Sequence, residues 1–248
     1  MGRRTLAAMD EPAERRGDEV PVLPELRPAL LFDLDGTLVD SVYQHVLAWR
    51  QALEDAGIEL SVWRIHRRIG MSGGLFASAL LREVRGAELD ADEVARLQAV
   101  HGRHYADQLD QVRPLPGARD LLLALSDAGV PWAIATSGGR ATAEPVIRML
   151  GVEAPVVITR DEVPFAKPDP HLFIAAAGRL GVDVQQSIVV GDSIWDMLAA
   201  QRARALGVGL LSGGYGAEEL ERAGAYRVYQ DPADLAAHLD ELGIRRPR

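Results

Sequence analysis

The sequence predicts an α/β fold: a doubly wound parallel sheet core carrying an inserted all-helical unit. Three observations predict it. A short apolar run, Ala29 to Phe32, leads into Asp33-Leu34-Asp35-Gly36-Thr37, as a buried strand does when it delivers polar residues at its carboxyl end. From Ala118 onward, short apolar runs alternate with stretches of helical periodicity, the signature of a parallel sheet with helices on both faces. Between these parts, residues 42–112 carry helical periodicity with no strand-like run.

Composition narrows the function classes. A chain of 248 residues has room for a sizeable core and one or two domains. Hydrophobic and charged contents of 48% and 25% suit an ordinary soluble protein. A net charge of −9 disfavours nucleic acid, which selects a basic surface. The lack of cysteine excludes disulfides and thiolate metal sites and fits a reducing, cytoplasmic location. No apolar run approaches the ~20 residues of a membrane span. Residues 1–28 hold charges throughout and four prolines. They lack the apolar core of a signal peptide and read as a poorly ordered tail.

The elements follow in order. Val42, Val46, Trp49, Leu53 and Ala56 line one helix face, capped by Asp40 or Ser41 and stopped by Gly57. Further helices are expected over Ser61 to Ile69, Leu75 to Val84 and Asp92 to Leu109. Arg113 to Gly117, with two prolines, reads as a linker. The second half gives a helix through Leu121, Leu122 and Leu125, then a strand over Val130 to Ala135. A helix to Leu150 follows, in which Pro145 is tolerable only near the first turn. Strands over Val156 to Thr159 and Ile188 to Val190 flank a helix over Leu172 to Leu180. The helix Ile194 to Ala205 leads to shorter strands over Val208 to Leu211 and Arg227 to Tyr229, with helices near 217–223 and 232–242. The core is thus 29–41 with 113–248, and the helical unit is 42–112.

Parallel strands bring their carboxyl ends to one edge, and polar residues gather there. The first strand ends in Asp33 and Asp35, another in Thr136-Ser137-Gly138, a third in Gly191-Asp192, with Asp196 one helical turn on; a loop adds Lys167. Two carboxylates one residue apart repel. A divalent cation, Mg²⁺ by its preference for hard oxygen ligands, relieves the repulsion. A solvated strand end is the plain alternative for a lone Asp-x-Asp-Gly. The other residues fit phosphoryl transfer. Asp33 and Asp192 would hold the cation, Thr136 and Lys167 the phosphate oxygens. Backbone N–H groups of the glycine-rich turn at Gly138 would face an anion. Asp196 would orient the metal site from behind.

The set Asp33-x-Asp35-Gly36-Thr37, Thr136-Ser137, Lys167-Pro168 and Gly191-Asp192-Ser193-x-x-Asp196 closely resembles the four motifs of the haloacid dehalogenase superfamily, in the family's order. The resemblance implies a Rossmann-like core with a helical cap, as in phosphoglycolate phosphatases and β-phosphoglucomutases. It implies that Asp33 attacks phosphorus to form an aspartyl-phosphate, and that Asp35 protonates the leaving oxygen and then activates water. It further implies that Thr136 and the Ser137 N–H bind the phosphoryl group and that Lys167 neutralises charge. Mg²⁺ would bridge Asp33, the Asp35 carbonyl and Asp192.

The expected activity is hydrolysis of a small phosphomonoester, phosphoglycolate or a sugar phosphate, by a monomer or homodimer with no membrane partner. Thr37 and the Gly191-Asp192-Ser193-Ile194-Trp195-Asp196 stretch resemble the phosphatases. His45 and Trp49 match a His and Trp of the mutase cap. Gly73 stands where the mutase carries an arginine for the substrate's second phosphate. A phosphotransferring isomerase and a non-catalytic metabolite-binding domain are the alternatives. His45 either faces the cleft and tunes Asp35 or sits on a polar helix face. Ser72, in the cap loop, is a further candidate for substrate contact. Trp49 reads as core, His101 and His104 as surface, and Arg64, His66, Arg67 and Arg68 as a solvated helix face. Asp161 and Glu162 read as shaping the loop before Lys167.

Overall fold

The computed structural model describes residues 28–86 and 91–244; the tail reading for the N-terminus lies outside them. Strand β1 (Leu30–Phe32) enters the sheet, and a two-residue strand β2 (Val39–Asp40) leads out of it. Helices α1 (Val42–Asp55), α2 (Val62–His66), α3 (Gly73–Arg85) and α4 (Ala91–Ala106) form the helical lobe. The chain returns through β3 (Arg113–Pro114), which pairs antiparallel with β2. The expected linker is therefore half of a short ribbon tying both crossings together.

The core continues as α5 (Ala118–Asp127), β4 (Trp132–Ala135), α6 (Arg140–Met149), β5 (Val157–Ile158) and α7 (His171–Leu180). Then come β6 (Ile188–Gly191), α8 (Ile194–Ala203), β7 (Leu206–Leu210), α9 (Ala217–Arg222), β8 (Ala225–Tyr229) and α10 (Pro232–Ala237). Six parallel strands stand in the order β5-β4-β1-β6-β7-β8, with β1 central between β4 and β6. Alternation across the pleat divides the core. Leu30, Phe32, Trp132, Ile134 and Val190 pack with α5, α6 and α10 on one face. Leu31, Ala133, Ala135 and Val189 pack with α7 and α8 on the other. Strands buried on both faces are apolar throughout.

The lobe has its own core of Val42, Val46, Trp49, Leu53, Phe76, Leu80 and Leu97. Its first stripe ends differently from the expectation: Ala52 is buried, while Ala56 is the exposed C-cap. Ser41 is the N-cap but its hydroxyl makes no cap hydrogen bond; it points to Asp35 instead. Pro145 lies well inside α6, not in its first turn. The carbonyl that loses its helical donor there belongs to Ala141, which lines the cavity between lobe and core. Among the described residues, no helix is long and apolar enough to cross a membrane.

Candidate active site

Asp33 follows β1, and its N–H bonds to the Val190 carbonyl of the neighbouring β6 (2.9 Å). That pairing places Asp33 beside Asp192, which follows β6 on the same sheet edge. Lys167 arrives from the loop before α7 and is fully buried. Its Nζ binds Asp33 Oδ1 and lies 2.8 Å from Asp196 Oδ1, with the Phe173 ring 5.2 Å away. Asp196 also accepts from the Ser193 N–H (3.1 Å) and hydroxyl (2.6 Å), a capping box at the start of α8. Asp196 therefore anchors Lys167 and caps a helix, a more direct task than orienting a metal from behind. Thr37 Oγ1 donates to Asp192 Oδ1 across 3.0 Å.

One lysine cannot neutralise this many carboxylates. Burial pushes Asp33 up to about 7; Lys167 pulls it down, while Asp196 and Asp35 push it further up. Burial, then Asp196 and Asp33, drives Asp192 well above the carboxylate range. Burial opposes the ammonium of Lys167, but Asp196 and Asp33 outweigh it and raise its proton affinity. Single carboxylate oxygens of Asp33, Asp192 and Asp196 lie within 4.8 Å of one another. Buried oxygen donors with excess negative charge fit a hard divalent cation. The wall is bare as well: a Cβ on Gly36 or Gly213 would fall 2.5 or 1.7 Å from Asp192 Oδ2. Lys167 is shared by Asp33 and Asp196, and Asp196 also caps Ser193; the three carboxylates together could hold such an ion.

Asp35 has a different environment. Its Oδ1 accepts from the Ser41 hydroxyl (2.6 Å) and from His45 Nε2 (3.2 Å). Burial disfavours the carboxylate, but His45 and Ser41 together hold its pKa below the usual range. With Oδ1 clamped, Oδ2 is free, and it lies 4.0 Å from where a Gly138 Cβ would stand. His45 thus faces the cleft. Its ring stacks on Tyr105 (3.8 Å), and its Nδ1 lies 3.1 Å from His101 Nε2.

The anion cradle differs in detail from the sequence reading. Thr136 is buried at the end of β4, and its Oγ1 accepts the Gly138 N–H (2.9 Å). That N–H is spent, so Gly138 does not offer it to a ligand. The Ser137 hydroxyl donates to the Gly70 carbonyl of the lobe (3.0 Å). The Thr136 hydroxyl proton and the Ser137 N–H remain for an anion. Ser72 is corrected outright: it is buried, caps α3 by accepting from Leu75 N–H (3.4 Å), and is not part of the cavity wall.

A cavity of about 400 Å³ separates lobe from core. Asp33, Asp35, Thr136, Ser137 and Gly138 form its floor, with His45, Trp49, Phe76, Gln98 and His101 above. Trp49 is core as expected, against Phe76 (4.3 Å) and His101 (4.2 Å). His101 is not surface: burial, then His45, drives its pKa well below the ordinary value. His104 instead pairs with Asp55 (2.8 Å), so the two histidines share no metal. The basic cluster is partnered rather than solvated. Arg64 and Arg68 share Glu83, Arg67 pairs with Glu219, and His66 reaches the Gly213 carbonyl. Asp161 and Glu162 do shape their loop, through the Arg140 N–H and the Thr159 capping box. The sequence reading passed over Arg160, which lines the cavity and whose guanidinium donates to the Val163 carbonyl (2.9 Å).

Comparison with known proteins bears on this geometry. The profile described as haloacid dehalogenase-like hydrolase matches residues 28–204. A phosphoglycolate phosphatase of Rhodospirillum rubrum is 35% identical over 227 residues, covering 88% of this chain and 92% of that protein. Hexitol phosphatase A of Escherichia coli is 36% identical over 169 residues, covering 66% and 73%. A crystal structure of a hydrolase from Pseudomonas syringae superposes with TM-score 0.84 at 51% identity, covering 87% and 99%.

Proposed function

Since the chain belongs to the haloacid dehalogenase-like hydrolase family, we propose that it is a Mg²⁺-dependent phosphatase for a small phosphorylated metabolite, working through an aspartyl-phosphate on Asp33. The relatives named above are phosphatases for phosphoglycolate and for a hexitol phosphate. The observation that carries the reading is the division of labour between Asp33 and Asp35. Lys167 occupies Asp33 Oδ1, which leaves Oδ2 to attack. Ser41 and His45 occupy Asp35 Oδ1, which leaves its Oδ2 toward the anion cradle.

In the first step an Asp33 oxygen bonds to phosphorus and the ester P–O bond breaks. Asp35 Oδ2 gives a proton to the departing oxygen. Asp35 is ionised at rest; a phosphate dianion beside Oδ2 raises its proton affinity, so that it takes from solvent the proton it then donates. In the second step Asp35 takes a proton from water, which attacks phosphorus and releases Asp33. The Thr136 hydroxyl and Ser137 N–H hold the transferring oxygens, and Lys167 balances their charge. Mg²⁺, held by Asp33 and Asp192 with the Asp35 main-chain carbonyl, would supply the remaining positive charge. Closure of the lobe over a bound substrate would exclude bulk water from the cavity.

Hydrolysis is favoured over phosphotransfer to a second position by the cap side of the cavity. Its cation, Arg68, is turned to Glu83, which it shares with Arg64. Gly73, beside Gln98 and Trp49 in the same wall, brings no side-chain cation to this side. The test is phosphate release from a panel of small phosphomonoesters with Mg²⁺ or EDTA. Release should require Mg²⁺ and fall at least about a thousandfold in Asp33→Asn. Hydrolysis surviving that substitution removes Asp33 as nucleophile.

A further inference from the structure

His66 and Arg67, at the end of α2, reach from the lobe to the core beside the stretch 68–71 that lines the cavity. His66 Nε2 donates to the Gly213 carbonyl across 2.8 Å. Its ring stacks on Tyr43 (5.4 Å) and on Tyr215 of the core (5.8 Å). Next to it, Arg67 pairs with Glu219 and lies 4.5 Å over the Tyr215 ring. The Tyr215 hydroxyl donates back to the Arg67 carbonyl (2.9 Å). Neither His66 nor Arg67 lines the cavity, so substrate contact does not account for them.

The Asp192 carboxylate lies against Gly213. A Cβ there would fall 1.7 Å from Asp192 Oδ2 and 2.4 Å from its carboxyl carbon, so the main chain lies directly against the carboxylate. Gly36 walls the same oxygen, and the Ser212 hydroxyl ties the two walls by donating to the Gly36 carbonyl (2.6 Å). Asp192 thus has one oxygen fixed by Thr37 and the other confined by two glycines. One of those glycines is held in place by a histidine of the lobe.

We infer that His66 is a positioning residue for the cation site: its bond to Gly213 keeps the backbone wall pressed on Asp192 when the lobe is closed. Lobe closure and cation affinity are then linked, and the linkage is reciprocal. A Gly213 carbonyl without its donor lets the 211–214 turn lift, and Asp192 gains room to rotate away from Asp33. The neighbouring Arg67–Glu219 pair is half exposed and adds little by itself. The inference rests on reading Asp192 as a cation ligand.

The experiment is calorimetric titration of Mg²⁺ into the full-length, substrate-free protein. Wild type should bind and Asp192→Asn should not. His66→Ala should weaken binding about five- to tenfold, the worth of one hydrogen bond. His66→Gln, whose amide can donate to the same carbonyl, should return affinity to within about twofold of wild type. Arg67→Gln should leave it unchanged. By reciprocity, Mg²⁺ should slow hydrogen exchange of the Ser72 N–H, which bonds to the Lys167 carbonyl across 3.3 Å, less in His66→Ala than in wild type. Wild-type affinity in a folded His66→Ala protein overturns the inference. If wild type does not bind, or Asp192→Asn binds as tightly, the ligand reading of Asp192 falls and the inference with it. Wild type and Asp192→Asn alone identify that second failure.

Discussion

His45, on the first helix of the lobe, places Nε2 3.2 Å from Oδ1 of Asp35, at the end of the central strand. The contact spans the boundary between lobe and core, so the electrostatics of the Asp35 carboxylate depend on where the lobe sits. A cationic or donating imidazole favours the charged carboxylate.

His45→Ala therefore raises the Asp35 pKa, since the strongest influence holding it down is gone. The acid limb of the kcat/KM profile should move to higher pH, and kcat should fall about 10²-fold. A pH–rate profile checks both. An unmoved acid limb would separate His45 from Asp35.

Lys167 is buried with Asp33 and Asp196 and has no solvent to replace it. Lys167→Met leaves both carboxylates without their cation. Urea unfolding of the metal-free protein should show a loss of about 3–5 kcal/mol, the cost of breaking a buried pair. Addition of Mg²⁺ should recover part of it. A loss below about 1 kcal/mol would mean that the carboxylates are protonated at rest.

His101 is held neutral by burial and by His45. Below about pH 6.5 the unfolded chain binds a proton that the folded chain refuses, so folding stability falls as pH drops through that range. Thermal unfolding of Mg²⁺-loaded protein between pH 7.5 and 5.5 (roughly the window set by the histidine value) should show a shallower decline in His101→Asn than in wild type. Equal slopes would contradict a neutral His101.

Arg160 lines the cavity, and the structure shows no carboxylate partner for it among the described residues. Arg160→Gln should lower kcat/KM about tenfold or more for phosphomonoesters with a second anionic group, a charge-assisted contact being worth this much. It should leave neutral polyol phosphates within about twofold. Paired assays on phosphoglycolate and a hexitol phosphate check the difference; equal loss on both would place Arg160 at the transferring phosphate instead.

The legible part of this protein lies where local pattern and function coincide. Asp33, Thr136 and Asp192 each follow an apolar strand run, and parallel strands must end on one edge. The helical unit was legible for the same reason, because a 3.6 period cannot serve a strand. Cap chemistry was not legible. Ser72 and Ser193 are both serines before a helix, yet one hydroxyl caps by accepting from Leu75 and the other donates to Asp196. Ser41 stands in the same position and turns its hydroxyl to Asp35.

By itself, then, the sequence determined the α/β alternation, the inserted helices and the set of acids at the strand ends. These follow from periodicity and from short-range chemistry. Tertiary structure alone decided who partners whom. Thr37 meets Asp192 across 155 positions, Lys167 meets Asp33 across 134, and His66 meets Gly213 across 147. A helix face shows which residues are apolar, not which opposing surface receives the polar ones. His45 and His101 acquire their roles only when the lobe folds over the sheet edge and burial makes each unpaired polar atom costly.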